Sequence, residues 1–154
     1  MRQLSLFILG IILLATASAQ TTDNILAKNK AYTGAKPIRK NYRAIYQLDN
    51  SDPKSIEKAI RNINNALTDP RLAGKIQIEM IAFSGGTDAY MKGSKYEEDI
   101  KALAEKGVIV AQCGNTLRER KISIDQIYDF IAVVPSANGE LIIRAAEGWI
   151  IIKP

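Results

Sequence analysis

Apolar positions in this chain recur with two periods, and each switch between them marks a new element. Tyr42-Arg43-Ala44-Ile45-Tyr46-Gln47-Leu48 alternates apolar and polar residues, which predicts a first strand. Asn50-Ser51-Asp52-Pro53 then gives a turn and a helix start, with Asp52 as cap and Pro53 at the first helical position. Ile56, Ile60, Ile63 and Leu67 follow at helical spacing, and Asp69-Pro70 closes that helix. Ile76 to Phe83 is a second strand, running into Ser84-Gly85-Gly86-Thr87-Asp88 and a short helix expected to carry Tyr90 and Met91. Ser94-Lys95-Tyr96-Glu97 has the form of a capping box, opening a helix through Ile100, Leu103 and Ala104 that stops at Gly107.

A β-branched run from Val108 predicts a third strand ending at Cys113. Asn115 or Thr116 can cap a short charged helix reaching about Lys121. Ser123-Ile124-Asp125-Gln126 is a second capping box, expected to open a short helix over Ile127 and Tyr128. Ile131-Ala132-Val133-Val134 is a brief strand stopped by Pro135. Ser136 can cap a helix to roughly Glu147 with Leu141, Ile142 and Ala145 inward, and Trp149 to Lys153 is the last strand.

Strand and helix thus alternate about five times. That alternation predicts an α/β three-layer sandwich: an about five-stranded, mostly parallel sheet with helices on both faces. The strands are short and apolar, as doubly covered strands are. In such a sheet the carboxyl ends of the strands share one rim, where ligands bind. The Gly85-Gly86 loop, Cys113 and the Pro135-Ser136 turn are therefore expected on one edge.

Upstream of residue 42 the pattern changes. Met1-Arg2-Gln3 is a short positive start, Leu4 to Leu14 is almost unbroken Leu, Ile and Phe, and small residues follow to Ala19. This predicts a secretory signal peptide over residues 1–19, too short in its apolar run for a membrane span. Export, to a bacterial periplasm, and no stable membrane anchor are the corresponding expectations. Residues 20–41 are polar, basic and aperiodic, which predicts a flexible leader. The domain proper is 42–154.

Charge and composition narrow the chemistry. The net charge of +5 suggests nucleic acid at first sight. All of the excess lies in residues 1–41, and residues 42–154 hold as many acidic as basic side chains. With no aromatic-interleaved basic patch, no nucleic-acid partner is expected. The chain has one cysteine and no histidine. That removes an internal disulfide, zinc fingers and Ser-His or Cys-His nucleophile pairs, and no metal or cofactor is implied.

Cys113, at a strand end beside a helix N-terminus, is placed to have a lowered pKa and to react. A small buried hydrophobe is the alternative reading of the same residue. If it reacts, the backbone at Gly114 and Asn115, with Thr116 and Arg118, are the candidate stabilisers of its thiolate. Ser84, Gly85, Gly86 and Ser136 are the candidate binding rim. The Ser84–Asp88 run lacks the lysine of a Walker loop and the spacing of a dinucleotide fingerprint, and a plain tight turn is the favoured reading of its glycines.

The strand leading into Asn-Ser-Asp-Pro, the Ala111-Gln112-Cys113-Gly114-Asn115-Thr116-Leu117 segment, the Val-Val-Pro-Ser turn and the closing Ala-Glu-Gly-Trp-Ile-Ile-Ile-Lys-Pro together resemble the DsrE/DsrF-like (YchN-like) family over 42–154, in an exported branch. The resemblance implies a five-stranded parallel sheet between helices, homo-oligomers (trimer or hexamer), and a sulfur relay. In that relay Cys113 carries sulfur as a persulfide between donor and acceptor proteins, a sulfurtransferase-like role. A non-catalytic oligomeric module of the same fold, holding a small ligand or anion, is the second expectation.

Overall fold

A computed structural model describes residues 22–154 of the chain. The predicted signal peptide, residues 1–19, lies outside the described residues. Two compact units divide between Lys36 and Pro37. In the first, residues 22–30, within the predicted flexible leader, form a helix, α1. Ile25, Leu26 and Ala27 are helix-compatible residues among the polar ones, and every residue of α1 is exposed.

The second unit is a five-stranded sheet of order β4-β3-β2-β1-β5. Its strands are β1 (Tyr42–Leu48), β2 (Ile76–Ala82), β3 (Ile109–Cys113), β4 (Ala132–Val134) and β5 (Ile150–Ile152). All four pairings are parallel. The register sets Tyr46 opposite Met80, and Met80 opposite Val110, so one face is a continuous apolar layer. Helices α2 (Pro53–Thr68) and α3 (Glu97–Glu105) cover that face. The other face carries α5 (Ala137–Ala146), over Ile45, Ile81, Ala111, Cys113 and Trp149. The short α4 (Gly114–Glu119) follows β3 directly. The three-layer parallel sandwich expected from the alternation is therefore the fold observed.

Local signals translate unevenly. Asp52 caps α2 as expected, its carboxylate accepting from the Ser55 N–H at 3.0 Å, and Pro53 opens the helix. Ile56, Ile60 and Ile63 are buried and Leu67 is partly so. The box at Ser94 does not form: α3 begins at Glu97 without a side-chain cap, because the Ser94 hydroxyl instead accepts from the Tyr96 N–H at 3.3 Å, one residue early. The Ser123–Gln126 box does form, but over a single 3₁₀ turn, Ile124–Gln126. Ile127 then runs extended, bridging Met91, and both Ile127 and Tyr128 are buried. A 3₁₀ turn over Ser84–Tyr90 takes the place of the loop and short helix after β2.

The largest departure is in α5. Leu141 is inward, but Ile142 is 70% exposed and Ala145 is exposed too. Only Ala137 and Leu141 of this helix are buried, and the next position on that stripe is Arg144. It faces Glu79, a carboxylate in the middle of β2 with none of its surface exposed. A buried acid on the sheet turns the helix so that a cation rather than an isoleucine points inward.

Candidate functional site

Cys113 is the last residue of β3 and the N-cap of α4, with φ −71° and ψ 116°. The helix starts at Gly114, so Asn115 and Thr116 lie in its first turn rather than capping it. The strand's alternation sends Gln112 and Cys113 to opposite faces. The Gln112 amide nitrogen donates to the Thr87 hydroxyl and to the Cys113 carbonyl, both at 3.0 Å, which fixes the strand end from the α2/α3 side. Cys113 turns to the α5 side and is 4% exposed.

There the sulfur meets converging donors. The Ala137 N–H, at the start of α5, donates to Sγ at 3.3 Å. Burial works against ionising the Cys113 thiol. The Thr116 N–H, the Ala137 N–H, the Thr116 hydroxyl and the Asn115 N–H outweigh it and hold the thiol below its ordinary value. Two helix N-termini, of α4 and α5, thus face one sulfur. The ten-residue α5 begins with its own cap, the Ser136 hydroxyl accepting from the Gly139 N–H at 3.3 Å.

Gly114 makes the convergence possible. A Cβ there would stand 3.0 Å from the Val134 carbonyl oxygen and 3.5 Å from that of Pro135. Absence of that carbon lets the β4–α5 connection close over the cysteine. Thr116 has a second duty, since its hydroxyl oxygen accepts from the Ser84 N–H at 3.1 Å. With that lone pair engaged, the hydroxyl proton is free to point at the sulfur. Ser84 has φ +50°, a left-handed conformation uncommon for a residue with a side chain. Its carbonyl accepts from Arg120 at 2.8 Å, and Arg120 also pairs with Asp88 at 2.6 Å.

The sequence-derived candidates therefore separate. Cys113, Gly114, Asn115, Thr116, Ser84 and Ser136 come together on the carboxyl rim of the sheet. Arg118 does not join them: its guanidinium hydrogen-bonds the Asn115 side-chain oxygen and is not among the groups that lower the Cys113 thiol. Gly85 and Gly86 serve packing. A Cβ on Gly86 would lie 1.9 Å from the Leu48 carbonyl oxygen, and one on Gly85 3.0 Å from the Ser51 backbone nitrogen. The 3₁₀ turn lies flat on the end of β1, which is why two glycines follow β2. Residue-type reasoning missed Ala137, whose backbone N–H reaches the sulfur across 24 positions of sequence. Ser136 was its only signal, as a cap announcing a helix start. Among the described residues, no cluster of His, Cys, Asp or Glu is arranged to hold a metal ion.

The sequence profile of the DsrE/DsrF-like family matches residues 55–154, which include Cys113 and both helix starts around it. The solved structure of a protein of unknown function from Methanobacterium thermoautotrophicum, MTH1491, is similar at 31% sequence identity and a TM-score of 0.70. The match spans 74% of this chain and all of that one. No match was found among curated proteins.

Proposed function

This chain belongs to the DsrE/DsrF-like family, and from that premise we propose that it is a sulfur carrier that holds a persulfide on Cys113. The observation that carries the reading is the set of donors on one sulfur: the Ala137 N–H at 3.3 Å and the first turn of α4, which keep the thiol below its ordinary value despite burial. The Cys113 thiolate attacks the outer sulfur of a donor persulfide. A new S–S bond forms, the donor's S–S bond breaks, and its electron pair leaves on the donor thiolate. Transfer onward is the same exchange, with an acceptor thiolate attacking the outer sulfur held on Cys113. The donors that stabilise the thiolate before attack stabilise it again as leaving group.

The signal-like residues 1–19 support placing this carrier outside the cytoplasm, and exposed Ile142, Ile143 and Ile150 support self-association. Burial of Cys113 among Ile45, Ile81, Ala111 and Leu141 favours a second reading, in which the cysteine is packing and the fold serves as a binding module.

The pH dependence of Cys113 alkylation in the folded protein, followed by intact mass after polysulfide exposure, separates the two. A midpoint below the free-thiol value of about 8.5, with one sulfur atom gained and none gained by Cys113→Ser, supports the carrier. A thiol that resists alkylation until the protein unfolds, with no adduct, supports the module.

A further inference from the structure

Helix α5 supplies the Ala137 N–H to the cysteine, yet its apolar footing is slight: only Ala137 and Leu141 are buried. The rest of its inward stripe is ionic. Arg144 Nε lies 2.8 Å from Glu79 Oε2 and 2.8 Å from Glu140 Oε1, and an Nη of the same guanidinium lies 3.3 Å from Glu147 Oε2. Glu147 also accepts from the Trp149 indole N–H at 3.0 Å, and the guanidinium sits 4.3 Å over the Trp149 ring. Glu140 and Glu147 belong to α5 or its end, so they set the arginine's direction. Of the three carboxylates Glu79 is the one that belongs to the sheet, so it ties the arginine to β2, beside a second tie in which Arg43 of β1 donates to the Glu147 carbonyl at 2.5 Å.

Glu79 is a costly residue to keep. Its side chain is 1% exposed, and its second oxygen, Oε1, has no hydrogen-bond partner among the described residues. Burial pushes its carboxyl above the usual range, Arg144 opposes this, and Glu140 and Glu147 add to the rise. Replacing such a pair by apolar residues is often neutral or stabilising, so stability alone gives weak grounds for it. Its directional character is what an apolar contact lacks. The pair permits one seating of α5 where a greasy interface permits slippage.

We propose that Glu79 and Arg144 are positioning residues for Cys113: they pin the far end of α5 to β2 and so hold the Ala137 N–H on the sulfur. This rests on the reading of Cys113 as a working thiolate. Arg144 stands seven residues from Ala137, two helical turns away, so it acts on the sulfur only through the helix.

A double-mutant cycle on the full chain tests this. Lactate in place of Ala137, an amide-to-ester exchange, removes the donor N–H itself and keeps the methyl side chain and the space beside Sγ. Arg144→Met removes the ionic anchor and keeps the aliphatic stem. The readout is the pH midpoint of Cys113 alkylation, with circular dichroism to certify folding. Each single change is expected to raise the midpoint by about one unit, roughly a tenfold slowing at neutral pH. The double variant is expected to shift no further than the Ala137 ester alone, and Arg144→Lys to recover part of the shift. An unmoved midpoint in folded Arg144→Met, or additive shifts in the double variant, would overturn the proposal. If Arg144→Met does not fold, isosteric Glu79→Gln replaces it in the cycle with the same expectations. Polysulfide loading of the wild type is read separately by intact mass. Protein that loads no sulfur while the cycle behaves as described loses the carrier function and keeps the positioning role.

Discussion

The Ser84 backbone N–H donates to the Thr116 hydroxyl oxygen at 3.1 Å, joining the loop after β2 to the first turn of α4. A left-handed serine is thereby coupled to the group that lowers the neighbouring thiol. Thr116→Val keeps the shape and removes both roles. The Cys113 alkylation midpoint should rise by about one unit, and urea unfolding should show a loss of about 1–2 kcal/mol as the Ser84 N–H is left unpaired. Thr116→Ser should retain most of both. An unchanged midpoint in the valine variant would remove the hydroxyl from the site.

Arg118→Ala should leave that midpoint where it is. The guanidinium is engaged with Asn115, and backbone N–H groups with the Thr116 hydroxyl do the work on the sulfur. A rise comparable to that in Thr116→Val would return Arg118 to the thiolate.

Cys113 also links pH to stability. Its pKa is lowered on folding, so the unfolded chain holds the thiol proton to higher pH than the native state does. The contribution is complete above the unfolded value of about 8.5 and fades as pH falls through the folded value. The unfolding free energy of the wild type minus that of Cys113→Ser should therefore increase as pH is raised from about 6 to about 9. A difference flat across that range would mean the sulfur is not ionised preferentially in the native state.

The two glycines after β2 are expected to differ in tolerance. Gly86→Ala drives a methyl into the Leu48 carbonyl and should cost about 3 kcal/mol or more. Gly85→Ala meets backbone atoms of Asn50 and Ser51 at 3.0–3.1 Å and should cost about 1–2 kcal/mol. Equal, small losses on denaturant titration would indicate that the turn shifts freely and the glycines answer to a ligand instead.

These particulars show where the chain was readable. Alternation in 42–48, the Asp52-Pro53 start and the Ile56/Ile60/Ile63 stripe are local signals with one physical solution, and each reappears in place. The parallel order follows from the crossovers, and with it the shared rim of Ser84, Cys113 and Ser136. What stayed hidden depends on partners distant in sequence. Ile142 looks inward by hydrophobicity alone, and only the buried Glu79, 65 residues earlier than Arg144, turns the helix the other way. Arg118 looks close to Cys113 by number, but its direction is set by Asn115. Ala137 carries no side-chain chemistry for a motif to display.

The connection from Ala137 back to Cys113 also has a temporal meaning. Synthesis runs from amino to carboxyl end, so β3 and its cysteine leave the ribosome before β4, α5 and β5 exist. Until α5 has emerged and docked, one of the two helix ends facing the sulfur is missing, and the thiol is closer to an ordinary cysteine. The lowered pKa of the thiol is thus a property the nascent chain acquires late, with the closing of the sheet. A chain arrested or cleaved before α5 would keep its cysteine without the full set of donors that lowers its pKa.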